Sequence, residues 1–159
     1  MQKMAYQKLQ AYRALEVIPS NTIDIPNPAM LAVSSTTTLN APTKLIDNTQ
    51  DFTTNGVNVG DIVYTGAVAM TVTAIDSAIQ LTVTGVIGSG DAYSIYNTSE
   101  APNNGCVLYV GGAGKIKVTT AGGDDVTFIG VLAGSFIPVQ VVRVFASTAT
   151  TATDIVALW

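Results

Sequence analysis

The chain has 159 residues, 48% of them hydrophobic and only 11% charged, with a formal net charge of −4. A soluble domain typically carries about 25% charged residues, so this composition predicts a surface that faces other protein as much as water. The absence of histidine, the single cysteine and the acidic body argue against a zinc site, an intrachain disulfide, imidazole catalysis and a basic stripe for nucleic acid.

Residues 3–16 contain neither Gly nor Pro, and Gln, Lys, Leu, Ala and Arg dominate them. They predict a short N-terminal helix or an extended arm. The apolar positions Met4, Tyr12 and Leu15 make only a patchy stripe. Lys3, Lys8 and Arg13 against Glu16 give residues 1–16 a charge of +2, which leaves −6 for the rest of a chain whose total is −4. The segment that follows holds Pro19, Pro26 and Pro28, which exclude a helix and a central strand, so it reads as an extended connector.

From residue 31 the pattern turns to β. Leu31–Ser34, Asp61–Thr65, Val68–Ile75, Ile79–Thr84 and Ala92–Tyr96 alternate or run apolar. Asp76-Ser77 and Gly88-Ser89-Gly90-Asp91 punctuate them. Short Thr- and Val-rich strands at this spacing predict a small barrel or sandwich. Asn97–Gly105 is a polar boundary with a proline. Strands resume at Cys106–Val110, Lys115–Thr120, Val126–Ile129, Phe136–Ala146 and Thr153–Leu158. The run Val139–Phe145 is largely apolar on both faces and is expected to be covered on both sides. The fold class expected is therefore all-β. It consists of two small β-barrel or sandwich modules and an N-terminal helix or arm.

Few residues offer chemistry. Gly111-Gly112-Ala113-Gly114-Lys115 lacks the first glycine and the Ser or Thr of a phosphate loop, and it precedes a strand, not a helix. It reads as a hairpin turn. The aspartates at 47, 51, 61, 76, 91, 124 and 125 lie mostly beside turn residues and match no calcium loop. Asp124-Asp125 could hold a divalent ion between subunits, yet no cofactor, metal or catalytic residue is assigned. Cys106 sits in an apolar run and reads as a small buried hydrophobe. No run nears the roughly 18 apolar residues of a membrane span. The N-terminus has no apolar segment of a secretory signal. A protein made in the cytoplasm, with no membrane partner, is expected.

Several blocks carry a resemblance. They are Cys106–Gly111, Lys117–Gly123, Val126-Thr127-Phe128, Ala133-Gly134, Ile137-Pro138-Val139 and the terminal Thr151–Trp159. They are similar to the C-terminal portion of the gene transfer agent head-spike base proteins and to related virion structural proteins of tailed phages. Ile18–Pro26 resembles the segment that directly precedes the Leu-Tyr-Val-Gly strand in simpler members. In this chain, residues 29–103 separate the two parts. Their segments Lys44–Asp47, Val57–Tyr64 and Tyr93–Tyr96 look like a small β module recurring in phage structural proteins.

Three units are therefore expected. Residues 1–28 form an arm and proline-rich connector that belongs to the capsid-binding unit. Residues 29–103 form an inserted, outward-facing module, and 104–159 a C-terminal module. The resemblance implies a non-enzymatic virion protein on the capsid surface, a cement (decoration) protein or a head-spike base. Its partners are the major capsid protein, further copies of itself and a head fibre protein. A trimer is favoured slightly over a pentamer. The stiff connector is expected to project the arm, whose Met4, Tyr6, Lys8, Leu9, Tyr12 and Arg13 are the expected contact residues. The competing readings are a neck, tail or baseplate component and, from another class, a carbohydrate-binding or hydrolytic module. The latter has little aromatic surface to grip sugar, with Trp159 the sole tryptophan.

Overall fold

Cys106, Leu108 and Val110 point inward from one strand at two-residue spacing, and all three are buried. That alternation, repeated by Ile116 and Val118 on the next strand, builds the first of two cores. The computed structural model describes residues 11–159. It is all-β, with two curled antiparallel sheets.

The strands are β1 (Ala14–Glu16), β2 (Leu31–Thr36), β3 (Leu39–Ala41), β4 (Lys44–Ile46), β5 (Ile62–Thr65), β6 (Ala69–Ser77) and β7 (Gln80–Val83). They continue with β8 (Ala92–Tyr96), β9 (Cys106–Gly112), β10 (Gly114–Thr120), β11 (Asp125–Val131), β12 (Ser135–Val144) and β13 (Thr153–Leu158). One 3-10 turn, Pro28–Met30, is capped by the Asn27 side chain, which accepts from the Ala29 amide at 3.0 Å. Among the described residues, no helix is long and apolar enough to cross a membrane.

The six-stranded sheet has the order β1-β13-β9-β12-β10-β11, and the seven-stranded sheet the order β2-β8-β5-β6-β7-β4-β3. The second sheet thus uses only strands from 31–96, and the first uses β1 with strands from 106–158. The two chain crossings between them run side by side, with Asn27 Nδ2 donating to the Ala101 carbonyl at 3.5 Å.

The seven-stranded sheet closes on itself. Its terminal strands β2 and β3 are joined through Thr37 and Thr38. The Thr37 amide donates to Asp91 O at 3.0 Å beside β8, and the Thr38 amide to Ile46 O at 2.8 Å beside β4. Inside lie Leu45, Val63, Met70, Val72, Leu81 and Ile95, all fully buried. Phe52, from the loop after β4, plugs the interior and meets Tyr93 edge-on with ring centroids 6.3 Å apart.

The structure departs from the sequence expectations in four places. Ala14–Glu16 is extended, as one of the two readings had it, not helical, but it is a strand built into the sheet, paired from Ala14↔Leu158 to Glu16↔Val156. A patchy apolar stripe cannot stabilise a short helix, whereas β13 offers a ready edge. Residues 3–10 lie outside the described residues. The hairpin β3–β4 was not expected, because two three-residue strands around Pro42 are too short to show a period. Its Thr43 has φ 57°, which a turn with proline first and a left-handed residue second demands. The glycine-rich Gly111–Gly114 is mostly strand, with Ala113 alone between β9 and β10, and it is not a hairpin turn, because β12 lies between these two strands in the sheet.

The connector is not a free-standing spacer but packs on the body, which is the fourth departure; the arm's residues 1–10 lie outside the described residues. The Val17 amide donates to Ile155 O at 2.9 Å, Ser20 to Val144 O at 2.9 Å and Ile25 to Val142 O at 2.8 Å. Beyond Val141, where β9 stops pairing with β12, the connector takes its place. This answers how the apolar strand Val139–Phe145 is covered. Val17 and Ile25 enter the core of the six-stranded sheet, while Ile18 and Ile23 pack on Ile62, Tyr64 and Tyr96 of the barrel's outer face. The connector is a shared layer between the two units.

Candidate interaction surfaces

Two clefts, of about 260 and 230 Å³, flank this layer. The first lies between Leu15, Glu16 and Ile18 and the barrel residues Ser34, Tyr64, Ser94 and Tyr96. The rings of Tyr64 and Tyr96 meet edge-on at 5.9 Å. Burial raises the pKa of both hydroxyls, which keeps them neutral. The second cleft lies between Thr22–Ile25 and Gly60, Ile62, Thr71 and Asn103. Both are shallow seams between packed layers.

The ionisable groups are committed to local structure. Asp47 is fully buried; burial pushes its carboxyl up, and bonds from Thr49, Ser35 and Tyr93 more than reverse this, so its pKa is lowered. Tyr93 OH donates to it at 2.8 Å, and Thr49 donates through its amide at 2.9 Å and its hydroxyl at 2.6 Å. Asp61, also buried, accepts from the Asn58 and Ser99 amides at 2.8 and 3.1 Å, tying the loop before β5 to the end of the barrel. Asp125 accepts from Thr119 Oγ1 at 2.8 Å and lies 3.5 Å from Lys117 Nζ. Cys106 is buried and its thiol is pushed up to about 12 by desolvation, only partly offset by Asn103. It donates to Val141 O at 3.2 Å. Among the described residues, no three acidic or thiol groups gather to hold a metal ion.

The glycines where β9 passes into β10 serve packing. A Cβ on Gly114 would lie 2.7 Å from Thr151 C and 2.8 Å from Ala152 Cα; one on Gly111 would lie 2.9 Å from Asp154 O. The segment leading into β13 therefore crosses directly over this junction. Trp159 ends that strand. Its indole donates to Asn103 Oδ1 at 3.1 Å, its amide to Arg13 O at 3.0 Å, and its carbonyl accepts from the Tyr12 amide at 2.6 Å.

Of the expected contact residues, Met4, Tyr6, Lys8 and Leu9 lie outside the described residues. Tyr12 is 81% exposed. Arg13 is held on the body. Its Nε donates to Tyr12 OH at 3.1 Å and its Nη1 to Pro28 O at 3.3 Å, and its guanidinium lies 5.2 Å from the Tyr12 ring centroid. The arm, the connector and the terminal tryptophan thus meet at one place.

A second surface was not anticipated. Among the described residues, β11 pairs only with β10, which leaves its other edge open. Ile129 is 85% exposed, Leu132 71% and Phe136 58%, the last meeting Tyr109 edge-on at 5.4 Å. From Val126 to Val142 there is no charged residue. That uncharged run was visible in the sequence; its position at a free sheet edge was not.

Compared with known proteins, the chain matches no family model, no curated protein and no solved structure.

Proposed function

We propose that this chain is a virion structural protein of a tailed phage or gene transfer agent. It binds the capsid surface as a cement or decoration protein, or as a head-spike base. It acts by protein–protein contact, not catalysis, and works as a homo-oligomer on the major capsid protein, with a head fibre protein as a further partner. The observation that carries the reading is a surface made for contact. Exposed large apolar residues occur on both sheets, Ile129 and Phe136 on one and Leu31, Leu39 and Ile75 on the other, in a chain with 11% charged residues, while the clefts are shallow and the buried acids are spent on turns. Large exposed apolar patches mark interaction sites. Placement on a phage head rests on the short sequence blocks, chiefly Thr151–Trp159, that resemble the spike-base proteins.

Negative-stain imaging of virions labelled with an antibody to the chain tests this. Label on the head is expected. Label at the neck, tail or baseplate would favour the competing virion role, and virions without label would overturn the reading.

A further inference from the structure

We infer that β11 is the seam of a two-fold contact between two copies of this chain, in which the strand pairs antiparallel with itself and the two six-stranded sheets run on as one. The inference rests on the chain being an assembly subunit, but not on the capsid being its partner.

An open strand edge offers unpaired backbone groups, and monomeric proteins guard such edges with charges, prolines or covering loops. The barrel has no comparable opening, since Thr37 and Thr38 join its first and last strands. The other edge of the six-stranded sheet, β1, looks onto the barrel across the cleft lined by Leu15, Glu16, Tyr64 and Tyr96. That blocks a head-to-tail ring of β11 on β1. β11 remains, and from Val126 onward it carries no guard: no charge and no proline. A seam between identical edges is isologous, so its contacts must be self-complementary.

The strand meets that condition. With Thr127 on the axis, Asp125 lies opposite Ile129 of the second copy, and Val126 opposite its Phe128. Val126 and Phe128 pair across β10 with the buried Val118 and Ile116, so they stand on the concave, core-facing side. Their mutual contact would extend the core across the seam, as facing cross-strand pairs do. The charges also fit. Asp124 precedes one end of β11 and Lys115, on β10, flanks the other. Neither has an ion-pair partner among the described residues. Antiparallel pairing brings each toward the other's counterpart. A dimer follows, or trimers linked in pairs where a separate three-fold contact exists.

Thr127→Cys tests the register. Facing residues on paired strands have Cα atoms about 4.5–5.5 Å apart, inside the range that a disulfide spans. Cys106 is buried and does not compete. Under mild oxidation, the purified full-length variant is expected to form a covalent dimer at least about tenfold faster than Ser89→Cys, an exposed barrel-turn control without a paired mate. By sedimentation equilibrium at micromolar concentration, the wild-type chain is expected to be a dimer or a multiple of one. Thr127→Lys should halve its mass with an unchanged β-sheet circular dichroism spectrum. A wild-type monomer or simple trimer would overturn the inference, as would cross-linking of Thr127→Cys no faster than the control. Loss of capsid binding alone would bear on the proposed function and leave this result standing.

Discussion

Asp47 is a carboxylate in a place where water does not reach, and the barrel supplies its solvation through Thr49 and Tyr93. Its pKa is lowered in the fold from an ordinary value near 3.8. The unfolded chain therefore binds the proton more readily than the native one. The stability that this group contributes is fully present above that value and is lost as pH falls through the lower, native one. Acidification below about pH 4 should lower the melting temperature of the wild type more steeply than that of Asp47→Asn, measured by circular dichroism in parallel buffers. Identical slopes would mean that the carboxylate is not held as described. Removing the donor by Tyr93→Phe should cost about 1–3 kcal/mol, because a buried acceptor loses a partner.

At the scale of elements, the connector is the segment on which the arrangement turns. Its residues alternate between two cores, Val17 and Ile25 inward to the sheet, Ile18 and Ile23 outward to the barrel. Each of the outward pair contributes roughly 1 kcal/mol of apolar burial, being only half-covered. Ile18→Asp combined with Ile23→Asp should uncouple the two units. Calorimetry should then resolve two unfolding transitions where the wild type gives one; a single unshifted transition would contradict the layer's role.

The same segment shows what a sequence can and cannot disclose. The long strands were legible because Val, Ile and Thr alternate at period two between glycine-rich turns, as in Gln80–Val83 and Ala92–Tyr96. β1, β3 and β4 were not, since three residues are too few to display a period and their pairing is decided by a distant edge. Prolines 19 and 26 marked the connector as extended, but only the fold reveals that its amides feed β12 and β13. For the contact surface, tyrosines and basic residues drew attention to the arm. The open edge of β11 depends on sheet order, which composition does not encode.

For the whole molecule, two units meet through the connector, and the arm's last described residues are locked to Trp159 on the body. In sequence, residues 1–10 precede that anchor and add Lys3, Lys8 and the apolar Met4, Tyr6 and Leu9 to an otherwise acidic chain. A basic, aromatic-bearing segment suits a partner surface better than it suits this body, since Tyr is enriched at interface cores. The contacts of Tyr12 and Arg13 place its origin beside Pro28. The most direct measurement is cosedimentation of purified protein with capsid shells from virions that lack it, comparing the full chain with one beginning at residue 11. The account predicts that the full chain pellets with the shells. The shortened chain, with an unchanged circular dichroism spectrum, should stay in the supernatant. A full chain that remains soluble beside intact shells, or a shortened chain that pellets equally well, would contradict it.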